Sequence, residues 1–130
     1  MGSWLDSVNI RLMRESDLPL IEWDGEYTRY RKIYREIYRG LLAGRSTPWI
    51  AEINQIGIIG QIFLTEKRPH PEYCPDQPYM FLSSFRVKPL FRNQGLGTLL
   101  LKICEITASD RKVHTIFLNC AKTNRRCKKF

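Results

Sequence analysis

The residues of this chain that are best suited to chemistry lie in the segment 87–97, which reads VKPLFRNQGLG. Its two glycines, Gly95 and Gly97, permit positive φ angles and let backbone N–H groups approach a ligand closely. A helix that begins directly after them would direct its unpaired N–H groups and its dipole at an anion. Arg92 adds a cation to the same turn. The segment therefore predicts a binding site for a phosphate or diphosphate group.

Two common nucleotide-binding motifs do not match this segment, because specific residues differ. A P-loop needs Lys followed by Ser or Thr after its last glycine, whereas Thr98 and Leu99 follow Gly97 here. The dinucleotide fingerprint needs a third glycine or alanine where Leu100 stands. It also needs an acidic residue about twenty positions later, in the region of Asn119. Both motifs are therefore excluded.

Hydrophobic periodicity predicts the elements that must hold this turn in place. Apolar and alternating runs predict strands over residues 8–13, 49–54, 58–65, 79–87 and 116–120. Helical spacing predicts helices after Ser16, over 26–42 and over 98–108, and the tyrosine stripe of the second helix should lie in the core. The prolines between residues 68 and 78 predict an exposed loop. We expect residues 1–130 to form a single domain, since a chain of this length, 43% hydrophobic, can bury one core.

The pattern V-x-P-x-x-R-x-x-G-x-G in this segment resembles the acyl-coenzyme A loop of the GNAT superfamily of N-acetyltransferases. Asn124 and Cys127 match two residues that follow the fifth strand in that family. The resemblance covers nearly the whole chain. It implies an α/β (α+β) fold with a mixed, mostly antiparallel sheet flanked by helices, in which the fourth and fifth strands splay around acyl-coenzyme A.

The resemblance also implies acetyl-coenzyme A (acetyl-CoA) as the cosubstrate. Backbone N–H groups at the glycine turn would receive its diphosphate, and the backbone of the fourth strand would bond to its pantetheine arm. The residues that the resemblance assigns to this cosubstrate are Phe85, Val87, Arg92, Gln94, Gly95, Gly97, Thr98 and Asn124. Asn124 is equally typical of a residue that caps a following helix.

The activity that the resemblance implies is transfer of an acetyl group to a primary amine by direct attack in a ternary complex. The acceptor amine would belong to a small molecule or a peptide. The predicted fourth strand contains no carboxylate, so the catalytic base stays unassigned. Glu22, Asp24 and Glu26 are the candidates, because the family builds its acceptor site between the first two helices. Glu66, His70 and Glu72 are further candidates, although all six are also ordinary solvated or helix-start residues.

The family's general acid is a Tyr that would directly follow Phe130, so we expect the sequence to end before the last helix and strands of the domain. A fifth strand without its usual neighbour would leave an apolar edge exposed. That edge predicts a homodimer formed by pairing with a second copy. The alternative function is a catalytically inactive GNAT-like domain that binds coenzyme A or a protein partner.

The net charge of +8 is consistent with several kinds of partner, among them nucleic acid and an anionic cofactor. Much of the excess lies near the C-terminus, in Lys122, Arg125, Arg126, Lys128 and Lys129. No nucleic-acid motif accompanies it, so nucleic acid is an improbable partner and the cluster is interpreted as a solvated face. The four cysteines contain no Cys-x-x-Cys pair, which predicts reduced, structural thiols and no metal site. Without a membrane-length apolar run, a cytoplasmic protein without membrane contact is expected.

Overall fold

A computed structural model describes residues 4–22, 31–120 and 124–129, with side chains through residue 118. Its strands are β1 (Val8–Leu12), β2 (Ser46–Ile53), β3 (Gly57–Lys67), β4 (Tyr79–Val87), β5 (Thr115–Cys120) and β6 (Asn124–Lys129). Its α-helices are α1 (Arg31–Leu42) and α2 (Leu96–Asp110), and short 3-10 helices span Trp4–Ser7, Glu15–Ile21 and Pro89–Phe91. No helix of the described ranges is both long and apolar enough to cross a membrane.

The strands form one sheet in chain order, from β1 at one edge to β6 at the other. All neighbours are antiparallel except β4 and β5, which are parallel and joined by α2. A parallel pair needs such a crossover, whereas antiparallel neighbours need only short turns. The predicted mixed, mostly antiparallel α/β sheet is confirmed.

Two hydrophobic cores lie on opposite faces of the sheet. The core beneath α2 contains Ile62, Leu64, Met80, Leu82, Leu96, Leu100 and Cys104. The core on the other face contains Ile21, Tyr34, Ile50 and Phe63. The Tyr34 ring meets the Phe63 ring edge to face at 5.8 Å, so this member of the predicted tyrosine stripe is indeed a core residue. Because side chains alternate across a strand, β2 and β3 supply residues to both cores.

The helix predicted after Ser16 is a 3-10 helix instead. The reason is Asp17, whose carboxylate turns back to accept hydrogen bonds from Arg11 (2.7 and 2.9 Å) and from the Arg14 N–H (2.7 Å). Arg11 also donates to Glu52 on β2 at 2.8 Å. This ionic network ties the short helix to β1 and β2, so tertiary contacts override the local helical pattern.

The chain after β5 forms a strand, which corrects two expectations. Asn124 does not cap a helix, because it begins β6 and pairs with Cys120. The edge of β5 is not exposed, since β6 pairs with it along its length, from Thr115 opposite Lys129 onward. The edge on which the homodimer was predicted is therefore covered. The new edge strand has the sequence NRRCKK, and basic edge strands resist pairing with other chains.

Candidate functional site

A wedge-shaped gap opens between β4 and β5, and we call it the β4–β5 cleft. The two strands pair only at Met80–Leu82 with Ile116–Leu118. Beyond that point β4 continues to Val87 without a partner on this side among the residues that the structure describes. A strand edge that is left open inside a sheet presents unpaired backbone groups to a ligand. The predicted splaying of the fourth and fifth strands is confirmed.

A β-bulge lies in β4 where the strands separate. Ser83 is opposite Phe63 and Arg86 is opposite Gln61, so β4 contains one residue more than β3 over this stretch. Ser84 has φ 51°, a left-handed conformation that is uncommon for a residue with a side chain. Bulges bend a strand and increase its twist. The bulge thus accounts for the departure of β4 from β5, and no sequence pattern had indicated it.

The hydrogen-bond ladder shows which backbone groups face the β4–β5 cleft. The Lys88 N–H donates to the Ile59 carbonyl at 2.8 Å, so Lys88 faces β3. Residues of an antiparallel strand alternate in direction, and Val87 therefore directs its N–H and C=O away from β3. Arg92 Nε donates to the Val87 carbonyl at 2.7 Å. This contact holds the Arg92 guanidinium near the cleft and leaves the Val87 N–H available to a ligand.

The glycine turn forms the mouth of the cleft. Gly95 is the N-cap residue of α2 and has φ 101°, which favours glycine. It has no side chain to cap the helix, so the first N–H groups of α2, on Leu96, Gly97 and Thr98, have neither an intrahelical partner nor a side-chain cap. The dipole of this 15-residue helix adds positive potential at the same place. The turn can therefore bind an anion through the backbone alone.

Packing explains why both glycines are needed. A Cβ atom on Gly95 would lie 3.2 Å from Leu5 Cδ1, and one on Gly97 would lie 3.3 Å from Phe85 Cζ. The Phe85 side chain, 39% exposed, thus rests against the first turn of α2. The glycines let the turn lie close to both the N-terminal segment and β4.

The N-terminal 3-10 helix packs against the loop before α2 and supports it. The sequence had not indicated this contact. The Trp4 indole N–H donates to the Gln94 side-chain oxygen, and the Trp4 ring meets the Phe91 ring edge to face at 5.1 Å. Gln94 in turn donates to the Leu90 carbonyl at 3.1 Å. The Gln94 side chain is therefore structural, and only its backbone could serve a ligand. A lone Trp near a terminus has no spacing pattern that could have indicated this role.

The partly buried Arg86 lies on the face of β4 that is directed toward α1. Arg86 donates to the Tyr34 hydroxyl at 2.8 Å and to the Ile21 carbonyl at 3.1 Å. The side chain of Gln61, directly across on β3, is fully buried, and its amide has no hydrogen-bond partner among the described residues. Arg86 thus links β4 to the elements on the α1 face, a contact that sequence reasoning also missed.

The structure describes only some of the residues that the sequence offered as catalytic bases. Glu22 makes a bidentate ion pair with Arg31 at 2.7 and 2.9 Å, and hydrogen bonding to Arg31 lowers the pKa of Glu22. A carboxylate with a lowered pKa is a poor proton acceptor. Asp24 and Glu26 lie outside the described residues, as does the side chain of Asn124.

The thiols of Cys74 and Cys104 are buried and free, as expected for structural cysteines. Burial raises the pKa of Cys104 to about 12, so this thiol is not a nucleophile at neutral pH. Within the described part of the chain, no group of three His, Cys, Asp or Glu side chains is arranged to hold a metal ion.

Two features of the cleft suit coenzyme A. An anion-binding helix N-terminus at its mouth suits a diphosphate, and an open strand edge suits an arm that carries amide groups. The predicted cosubstrate residues from Phe85 to Thr98 all lie along this one path from β4 to α2.

Solved structures share this fold. A predicted acetyltransferase from Clostridium acetobutylicum, crystallised with acetyl-CoA, is 21% identical with a TM-score of 0.73, covering 88% of this chain and 82% of its own. Aminoglycoside 6'-N-acetyltransferase AAC(6')-IG from Acinetobacter haemolyticus is 18% identical, with a TM-score of 0.71 and coverages of 89% and 81%. AAC(6')-Iy, solved with a bisubstrate analogue, is 20% identical, with a TM-score of 0.70 and coverages of 90% and 82%.

The family model described as the acetyltransferase (GNAT) family matches residues 11–130. No curated protein matches the sequence. Structural neighbours that hold acetyl-CoA support the same compound as the cosubstrate. The splayed β4 and β5, the glycine turn and the family match together show that this chain belongs to the GNAT acetyltransferase family.

Proposed function

We propose that this protein is an N-acetyltransferase that moves an acetyl group from acetyl-CoA to a primary amine by direct attack in a ternary complex. Family membership supports the reaction class. The observation that carries the proposal is the β4–β5 cleft, which has the uncapped N-terminus of α2 at its mouth. Such a cleft can align an acyl thioester along β4 while leaving its acyl end accessible from the other side of the sheet.

The diphosphate binds at the glycine turn in this proposal. The backbone N–H groups of Gln94, Gly95, Gly97 and Thr98 point toward it, and the helix dipole adds to their attraction. Arg92 supplies a full positive charge from its position on the Val87 carbonyl. Because most donors are backbone groups, the site depends on the shape of the turn more than on side-chain identity.

The pantetheine arm then lies against the open edge of β4. Its amide groups hydrogen-bond to the backbone of Val87 and Phe85, as an added strand would. The side chain of Asn124, at the start of β6, is the proposed contact from the opposite wall of the cleft. The arm enters at Val87, and its reactive end therefore points toward the place where β4 and β5 first pair, at Leu82.

Acetyl-CoA supplies a thioester whose carbonyl carbon is attacked by the neutral amine, so that a C–N bond forms as the C–S bond breaks. A backbone N–H of β4 near the bulge stabilises the developing oxyanion, and one such donor typically lowers the barrier by about 3 kcal/mol. The amine proton must pass to a base and the thiolate must receive a proton. Glu22 is ion-paired with Arg31 and does not suit the base. The proposed proton acceptor is an ordered water or one of the remaining candidates, which are Asp24, Glu26, Glu66, His70 and Glu72.

The proposal is tested at Thr98, which is exposed in the first turn of α2. Thr98→Glu places a carboxylate where it favours the helix dipole but repels a diphosphate. The fold should therefore stay intact while the Kd for acetyl-CoA rises at least about tenfold, since close like charges cost more than 1 kcal/mol. Calorimetric titration measures the Kd, and the uncharged Thr98→Gln is the matched control.

Thiol release from acetyl-CoA with a panel of amines then separates the enzyme from its alternative. Binding with amine-dependent thiol release is the expected result. Binding without release from any amine would favour the inactive coenzyme A-binding domain instead. An absence of heat with acetyl-CoA, or equal Kd values for the Glu and Gln variants, would contradict the proposed cosubstrate site.

A further inference from the structure

A second cleft lies beside the closed end of the β4–β5 cleft, and we call it the aromatic cleft. Its lining includes Lys67, Arg68, His70, Tyr73, Tyr79 and Phe81. Its volume is about 450 Å³, within the range of small-molecule sites. Apart from His70, which the sequence offered among several candidates, none of these residues had been assigned a role.

The floor of the aromatic cleft is a cluster of rings. The Tyr73 ring lies 5.7 Å from the Tyr79 ring and 5.3 Å from the Phe117 ring, and Tyr79 and Phe117 are also 5.3 Å apart. The contacts with Phe117 are edge to face. Because the rings hold one another, they form a rigid apolar surface against which a flat group can stack.

The position of this floor relates it to the proposed reaction. Phe81 is paired with Phe117 one residue before the last β4–β5 pair, at Leu82. Met80 and Leu82 point into the core beneath α2, so Phe81 lies on the opposite face of the sheet. The reactive end of an arm that enters at Val87 points toward this same place. A molecule in the aromatic cleft would therefore approach the thioester from the side opposite α2.

The charged side chains that line the aromatic cleft are basic. Lys67 and Arg68 are exposed at its rim, and neither makes an ion pair with another described residue. No carboxylate lies among the described residues that line it. His70 accepts the Glu72 N–H at Nδ1 (3.1 Å), which leaves Nε2 as a donor. Aromatic rings alone can also attract a cation. Two basic side chains at the rim without an ion-pair partner among the described residues favour an anionic group instead.

We propose that the aromatic cleft is the acceptor site, and that the acceptor is a primary amine carrying an aromatic ring and an anionic group such as a carboxylate. The inference rests on the proposed acetyltransferase function. The ring stacks on Tyr73 and Phe81, the anion meets Lys67 and Arg68, and the amine faces the thioester. A polycationic aminoglycoside would be repelled by the same rim.

Two pairs of probes differ by one carboxylate: L-phenylalanine with phenethylamine, and L-tryptophan with tryptamine. Because the carboxylate also lowers the basicity of the amine, the contribution of the protein is the part of the preference that the rim variants remove. Thiol release from acetyl-CoA should be faster with each amino acid by about fivefold to tenfold in kcat/KM, a range that two partly solvated ion pairs can supply. Lys67→Gln should reduce this preference, and Lys67→Gln with Arg68→Gln should abolish it. Lys102→Gln, the same charge change on the exposed side of α2, should leave the preference intact.

Saturation-transfer NMR with the coenzyme A-bound protein gives a second readout that does not need turnover. L-phenylalanine and L-tryptophan should show transfer to their rings, and the double variant should lose it. The inference is overturned if neither amino acid binds, if kanamycin or the decarboxylated amines are preferred, or if the double variant keeps the preference. Failure of the proposed function is distinct, since acetyl-CoA would then either give no heat or bind without thiol release from any amine of the panel.

Discussion

The two ends of β4 differ in how they can recognise a molecule. At the Val87 end, most of the groups that can meet a ligand in the β4–β5 cleft belong to the backbone: the Val87 N–H and the first N–H groups of α2. At the Tyr79 end, the groups that face the aromatic cleft are side chains, with Tyr73 contributed by a loop and Phe117 packed behind it from β5. A site built from backbone groups selects a ligand by its shape and by where its polar groups lie. A site built from side chains selects a ligand by the chemical groups that it carries.

This difference suits the two substrates of an acetyltransferase. A donor common to a family needs the same backbone geometry in every member, so one short segment with fixed glycines suffices. An acceptor that differs between members is better matched by side chains, which can change without altering the sheet. Changes at the Val87 end should thus act on donor binding, and changes at the Tyr79 end should act on acceptor binding.

The largest effect is expected on stability, at the ionic network of Arg11, Asp17 and Glu52, which lies outside both ends of β4. Asp17 is 3% exposed, and Asp17→Asn removes a charge that Arg11 needs. Breaking a buried pair costs about 3 kcal/mol, so the free energy of unfolding should fall by that amount. Urea denaturation measures it, and Glu36→Gln, in an exposed pair with Arg39, should cost less than about 0.5 kcal/mol. A free energy of unfolding equal to that of the wild type would contradict the structural role of this network.

The same network sets a pH dependence. Burial raises the pKa of Asp17, but hydrogen bonds from Arg11 and from the Arg14 N–H outweigh it and hold that pKa below its ordinary 3.8. A lowered folded-state pKa stabilises the fold above the unfolded value, and this contribution is lost as the pH falls through the folded value. The stability gap between wild type and Asp17→Asn should therefore shrink below about pH 4. A gap that stays constant down to pH 2 would contradict this role for the carboxylate.

The second largest effect is expected at the donor end, at Gly95. Gly95→Ala must adopt φ near 101° and place its Cβ against Leu5, which should cost about 1–2 kcal/mol of stability. Because the turn shifts, the Kd for acetyl-CoA should rise about tenfold or more. Gly95→Asn is the milder control, since Asn tolerates left-handed φ angles. Normal donor binding by Gly95→Ala would show that the turn is not shaped for the diphosphate.

A smaller effect, confined to the acceptor end, is expected at Phe81. Phe81→Leu keeps an apolar side chain but removes the ring face, which is worth about 1 kcal/mol in stacking. The KM for an aromatic acceptor should rise about fivefold, while the Kd for acetyl-CoA stays unchanged. Steady-state kinetics and calorimetry measure the two constants. Equal changes in both would mean that the two ends of β4 are not separable.

The smallest effect is expected at Trp4, which supports the loop before α2. Trp4→Phe keeps an aromatic ring against Phe91 but removes the indole N–H that donates to Gln94. A lost hydrogen bond at an exposed site is worth about 0.5–1 kcal/mol, so the Kd for acetyl-CoA should rise only about twofold to fivefold. Trp4→Ala, which removes both contacts, should have the larger effect of the two. If Trp4→Ala leaves the Kd unchanged, the N-terminal helix does not support the loop.

Sequence reasoning succeeded where one local segment carries the signal. The glycine turn, the strand before it and the helix after it were predicted nearly at their observed bounds, because glycines and periodicity act over neighbouring residues. It failed where a distant contact decides the outcome. Arg11 turns the chain after Ser16 into a 3-10 helix, and pairing with β5 makes a strand of the segment that begins at Asn124.

The sequence alone indicated a phosphate-binding turn and the order of the main elements, since both follow from residue types at fixed spacing, and its resemblance to the GNAT superfamily implied the family and the donor. Only the tertiary structure decided the bulge at Ser84, the brace from Trp4 and the gathering of Tyr73, Tyr79 and Phe117 into one surface. Each of these joins residues that are far apart in the chain or depends on strand register. Such contacts depend on how whole elements pack, and no local pattern encodes that packing.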